Sequence, residues 1–215
     1  ALGLVPDLTA KAARTAASNA GAKVAKTFAY EISGAEQQEI YDINPDLVLL
    51  CGGTDGGNKE VIIANAKRLV AIDRPFTTIV AGNKSASDEI RTIFEEAGKD
   101  FVITENVMPQ FNKLNIEPAR DAIRQLFISR IIEAKGLNIL QGMTPYKIIP
   151  TPLAVLHACE LLSKGTKTQT GRGDLLAVDI GGATTDVYSM ASGEPTVDNT
   201  MMKGLPEPWM KRTVE

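Results

Sequence analysis

The chain has 215 residues, 44% of them hydrophobic and 23% charged, which is enough apolar chain for a buried core and an ordinary folded composition. A net charge of −3 leaves no basic surplus to suit nucleic acid or an anionic membrane. No apolar run approaches the roughly 18 residues of a spanning helix.

Cys51 and Cys159 form no C-x-x-C, which speaks against a zinc site or a disulfide framework and fits a reducing cytoplasm. The chain opens at Ala1 without an initiator Met, and we read it as a piece of a longer protein.

Asp7 or Thr9 caps a first, Ala-rich helix that runs to about Ala20 and stops at Gly21. Ala22 to Tyr30 alternates like a strand. Ser33, with Glu36 three residues on, has the spacing of a capping box, and the helix it starts ends before Asn44-Pro45. Asp46 to Cys51 is an apolar strand that runs into the loop Gly52-Gly53-Thr54-Asp55-Gly56-Gly57-Asn58. Lys59 to Val70 is an amphipathic helix, Phe76 to Ala81 a strand, Ser85 to Ala97 a helix and Asp100 to Thr104 a strand. Ile116 to Lys135 is the longest helix, closed by Gly136.

This alternation suits crossover βαβ units, so residues 1–140 are expected to form a doubly wound α/β domain on a mostly parallel sheet, with four strands between residues 22 and 104. Met143 to Pro152, with three prolines, reads as a linker into a second unit, residues 141–215. Leu153 to Ser163 is a helix, and Lys164 to Gly173 a polar, mobile turn.

Leu175 to Met190 carries the chemistry. Leu175 to Val178 reads as a buried strand, and Val187 to Met190 as a returning one. Between them lies Asp179-Ile180-Gly181-Gly182-Ala183-Thr184-Thr185-Asp186. Glycines without Cβ let backbone N–H groups approach a phosphate, and Thr184 and Thr185 add hydroxyls. Asp179 and Asp186 suit water held on a hard cation such as Mg²⁺. A Gly-rich hairpin with a capped turn and no ligand has the same sequence.

The loop Gly52 to Asn58 is the second candidate, because it leaves a strand and enters a helix, where doubly wound folds bind ligands and helix N-termini favour anions. It lacks G-K-[ST] and G-x-G-x-x-G, and a plain Gly-rich turn fits as well. Asp55 and Glu60 form either a carboxylate pair or solvated turn charges. His157 is the single histidine, so a Ser/His/Asp or Cys/His triad is nearly excluded. Cys51 and Cys159 read as small core residues, and Trp209 as a packing anchor.

The stretch Asp179 to Asp186 resembles the second phosphate loop of the actin-like ATPases, roughly D-[LI]-G-[GA]-[GA]-T-x-D on a β-hairpin. That resemblance implies a ribonuclease H-like ATPase fold. It implies that Asp179 orients a metal-bound or attacking water, and that Gly181, Gly182, Ala183, Thr184 and Thr185 surround the nucleotide phosphate. Pro152 and Ala154 are similar to the helix before that loop in chaperone-type members, with Thr151 where they carry an acidic residue.

Three segments, ALGLVPDLTAKAARTAASNAGAKV, NPDLVLLCGGTDGGNKEVI and LLAVDIGGATTDVYS, together look like the accessory protein family of methylaspartate (glutamate) mutase, written GlmL or MutL. This implies an actin-like ATPase carrying an inserted α/β domain, with ATP and Mg²⁺ as cofactors in the full-length protein. The implied partners are subunits of an adenosylcobalamin-dependent mutase, and the implied role is that of a reactivating chaperone. A DNA mismatch-repair ATPase shares the name, but its ATP-lid pattern is missing here. The first phosphate loop, D-x-G-S-[TS], and a downstream adenosine loop are also missing, so this stretch alone is not expected to hydrolyse ATP efficiently. Two other readings remain: a small-molecule kinase of the same superfamily, and an α/β module that binds a corrinoid or another ligand at Gly52 to Asn58. Homo-oligomerisation is left open.

Overall fold

The structure is a computed structural model that describes residues 1–134, 139, 142–146, 148–182, 184–195, 197, 200, 205 and 207–214. The expected helix end at Lys135 and Gly136, and Ala183 of the hairpin turn, lie outside the described residues. The chain divides into two compact units. The first contains Ala1–Ala17 and Val24–Ala122; the second contains Ser18–Lys23 and the described parts of Ile123–Met202 and Pro206–Glu215.

In the first unit, five parallel strands line up in the order β2-β1-β3-β4-β5: β1 Leu2–Gly3, β2 Phe28–Ala29, β3 Leu47–Leu50, β4 Thr77–Val80 and β5 Phe101–Ile103. The helices are α1 Lys11–Asn19, whose last two residues pass into the second unit, then α2 Gly34–Ile43, α3 Glu60–Val70 and α4 Ser87–Glu96. A longer helix follows, α5 Glu117–Ala134, and it crosses from the first unit to the second.

β1 was invisible in the sequence because two residues cannot show a period. It is defined by pairing, Leu2 with Phe28 on one side and with Leu50 on the other. The strand expected from Ala22 to Tyr30 shrinks to the two residues that pair with it.

The order reverses direction at β1, so right-handed crossovers put α1 on the face opposite α2, α3 and α4. Ile40 of α2, Ile62, Ala66 and Leu69 of α3, and Ile90 and Phe94 of α4 accordingly share one core with Val48, Leu50 and Val80. Leu49 and Ile79 alternate to the other face and are also buried. The capping box forms: Ser33 Oγ accepts from the Glu36 N–H, and Glu36 accepts from the Ser33 N–H at 2.8 Å. That bond holds the Glu36 carboxyl below its usual range. Thr9 does not cap α1 in the usual way. Its hydroxyl accepts from the Leu4 and Val5 amides at 2.7 and 3.0 Å, bracing a π-helical turn, Pro6–Ala10, that feeds the helix.

The second unit packs helix α6, Thr151–Lys164, on an antiparallel sheet of β6 Leu175–Ile180, β7 Thr185–Met190 and β8 Met210–Val214, in that order. Leu153, Leu156 and Cys159 of α6 meet Tyr188 and Met190, with Trp209 packed alongside. Lys164 lies over the Trp209 ring, 4.6 Å from its centroid. The polar turn after α6 is tied back to the helix end, where Arg172 and Gly173 donate to the Leu162 and Ser163 carbonyls at 3.0 and 3.1 Å.

Candidate functional site

The Gly52 to Asn58 loop leaves the carboxyl end of β3, beside the β1/β3 reversal where open α/β sheets place ligands. Two buried asparagines from the next strand ends hold it. Asn83, after β4, accepts from the Gly56 and Ser85 amides at 3.1 and 2.9 Å, and donates to the Gly57 and Asn58 carbonyls at 2.9 and 3.1 Å. Asn106, after β5, donates to the Gly53 carbonyl and to Asp55, each at 3.0 Å. Gly53 has φ +70, and a Cβ there would collide with the Asn58 carbonyl, so the turn requires glycine.

The Thr54 carbonyl accepts from the Gly57 N–H at 2.9 Å, closing the loop on itself. The Asp55 carboxylate also accepts from the Lys84 N–H at 3.1 Å, while Glu60 accepts from the Asn58 side chain at 2.7 Å. Asp55 and Glu60 are thus engaged separately. The side-chain NH₂ groups of Asn83 and Asn106 both donate only to the loop, while their oxygens also take the Ser85 and Met108 amides, which braces the loop against the next strand ends. Neither asparagine was singled out by sequence reasoning.

Burial pushes the Cys51 thiol, just before this loop, up to about 12. That thiol is no nucleophile at neutral pH.

In the second unit the expected hairpin forms, but β6 is not the buried strand expected: Leu175 and Ala177 pack on the core, while Leu176 and Val178 alternate to the other face and are exposed. Asp179 pairs with Asp186 and Ile180 with Thr185. The Gly181 N–H donates to the Thr184 carbonyl at 2.9 Å, so it is spent on closing the turn. Gly182 differs. It is exposed, its φ lies outside the left-handed region, and an added Cβ would meet nothing within 4 Å. Among the described residues, no packing contact requires glycine there.

The two aspartates part company. Asp179 is exposed, and its carboxylate makes no hydrogen bond among the described residues. Asp186 is buried, and Arg212 of β8 holds it: Nε donates to Oδ1 at 2.8 Å, and Nη2 lies 2.6 Å from the same oxygen in the ion pair. The carboxylate suggested by sequence as a cation ligand therefore already has a cation, which leaves Asp179 as the open one. Thr184 Oγ1 lies 3.4 Å from Asp186 Oδ2, and Thr185 opens β7, half-buried. Beneath them the fully buried Tyr188 hydroxyl has no hydrogen-bond partner among the described residues. Burial, and then the Asp186 carboxylate, push its pKa up, while Arg212 pulls it down.

The family model described as MutL protein matches residues 1–215. The chain belongs to the MutL protein family. It is 51% identical over 215 residues to Protein MutL of Clostridium tetanomorphum, a match that covers all of this chain and 46% of that relative. The chain thus spans about half the length of the curated relative it matches. No solved structure matches it.

The remaining expectations concern single residues of this MutL-family chain. His157 is exposed on α6, with Nδ1 3.6 Å from Glu160, a helix-surface pair. Among the described residues no group of three or more His, Cys, Asp or Glu side chains could hold a metal directly, and no helix is long and apolar enough to cross a membrane. Arg212 was missed because β8 reads Met-Lys-Arg-Thr-Val, where Lys211 beside it hides which of the two cations is buried.

Proposed function

We propose that this chain is the central part of an ATP-binding accessory protein that reactivates an adenosylcobalamin-dependent glutamate (methylaspartate) mutase. Family membership supports the mutase assignment, and the bare Gly182 turn supports the nucleotide. A glycine that the fold itself does not need keeps backbone clear for an approaching group, here the terminal phosphate of ATP. Three elements share the work. The Gly182 amide faces the phosphate, with the Thr184 hydroxyl beside it. Asp179 orients a water on the far side. β6 and β7 hold both in register.

Mg²⁺, when bound, supplies charge neutralisation on the phosphate oxygens. The donor set fits an ion carried mainly by nucleotide and water, with Asp179 as the protein's share and Asp186 excluded by Arg212. The first unit is the inserted α/β domain, and its stiff Gly52 to Asn58 loop suits a surface that contacts the mutase.

Calorimetry with Mg-ATP on the full-length protein and on its Asp179→Ala form tests this. The wild type binds and turns over ATP, and the variant loses turnover. Equal affinity and turnover in the two would defeat the assignment.

A further inference from the structure

Arg212 does more than neutralise Asp186. It is 5% exposed, so a guanidinium has been taken almost wholly out of water, and each of its donors needs a partner. Nε and Nη2 both go to Asp186 Oδ1, leaving Oδ2 toward Thr184 of the turn. Nη1 reaches elsewhere, donating to the carbonyls of Ser18 at 3.1 Å and Ala22 at 3.2 Å.

Asn19 completes the attachment. Its side chain donates to the Met210 carbonyl and accepts from the Arg212 N–H, both at 3.0 Å. Those are the two groups that a neighbouring strand would take, so one side chain stands in for a strand along the edge of β8. Residues 18–23 are therefore fastened to β8 from both directions, although the residues on either side, Ala17 and Val24, belong to the other unit.

We infer that Arg212 is a positioning residue that ties the hairpin turn, through Asp186, to the segment 18–23, so that a terminal phosphate at the turn is felt in that segment. The inference rests on the nucleotide reading above. Thr184 Oγ1 sits 3.4 Å from Asp186 Oδ2, long for a hydroxyl bond, so a phosphate oxygen readily draws the hydroxyl away. Asp186 then depends on Arg212 alone, and the Arg212 contacts to Ser18 and Ala22 readjust. ADP, which lacks the terminal phosphate, does not start this sequence.

The test uses the full-length protein. Calorimetry gives the affinities for Mg-ATP and Mg-ADP, and amide exchange is followed across residues 18–23 with each nucleotide. The wild type prefers ATP, and ATP but not ADP changes exchange in 18–23. Arg212→Lys keeps a charge for Asp186 but cannot also serve both carbonyls. It weakens ATP by about tenfold, leaves ADP within about twofold, and abolishes the exchange response. A parallel loss for both nucleotides, or an intact ATP preference with an intact exchange response, overturns the inference. A wild type that binds neither nucleotide overturns the function reading itself, a different result. Asn19→Ala buries no unpaired charge and serves if Arg212→Lys does not fold. Its 18–23 amides exchange faster without nucleotide and lose their response to ATP, and a response of wild-type size sinks the proposal.

Discussion

Replacing Asn83 by Ala removes four hydrogen bonds at once, two accepted and two donated, all between 2.9 and 3.1 Å. A net value of about 1 kcal/mol per bond sets an upper bound of ~4 kcal/mol. Three of the four partners, the Gly56 amide and the Gly57 and Asn58 carbonyls, belong to exposed residues that water can reach once the loop relaxes. That brings the expected loss to ~2 kcal/mol.

Asn83→Asp is the sharper variant. It keeps the two acceptor bonds to the Gly56 and Ser85 amides, yet turns a buried carboxylate oxygen toward two carbonyls where an amide used to donate. This variant is therefore expected to be no more stable than Asn83→Ala at neutral pH, and to recover on acidification, when the protonated carboxyl regains one donor. Urea unfolding followed by far-UV circular dichroism measures the stabilities, and amide exchange at Gly56 reports the loop directly. An Ala variant within about 0.5 kcal/mol of wild type, or an Asp variant more stable than the Ala variant at neutral pH, refutes the view that Asn83 holds the loop.

Among the described residues the buried Tyr188 hydroxyl has no partner, so thermal unfolding should show Tyr188→Phe as stable as wild type or better; a loss above about 1 kcal/mol would mean that the hydroxyl is bonded. The raised pKa of that phenol has a sign: its contribution is whole below the ordinary value of 10.0 and is lost as pH rises through the higher folded value. The Phe variant should therefore lose less stability than wild type in alkaline buffer. Cys51 behaves alike, with a thiol raised from 9.0 to about 12. Its share of stability declines across pH 9 to 12, and native protein at pH 8 should resist alkylation at Cys51 until urea unfolds it. Rapid labelling of the native thiol would contradict its burial.

What could be read from the sequence is local. Ser33 and Glu36 announce their capping box because both partners lie within one helical turn. Leu175 to Met190 announces a hairpin because two apolar runs flank a glycine pair. The apolar spacing of Glu60 to Val70 sets α3 nearly to the residue. What escaped is held by single side chains reaching across the chain. Arg212 finds Asp186 at a separation of 26 residues and Ser18 at 194, and Asn106 finds Gly53 at 53, distances at which no periodicity survives. Asp186 shows the cost. Its place in the hairpin beside the turn was legible, but not the guanidinium that takes up its charge.

Gly182→Ala in the full-length protein tests the nucleotide site most directly. Gly182 has a φ outside the left-handed region and no described residue within 4 Å of an added Cβ, so urea stability should stay within about 0.5 kcal/mol of wild type. The same methyl group occupies the ground where a terminal phosphate must come, so Mg-ATP affinity should fall by about tenfold or more, while Mg-ADP affinity changes little. Unchanged ATP binding in a stable Gly182→Ala protein would contradict the account, because the bare turn would then have no ligand to stay clear for.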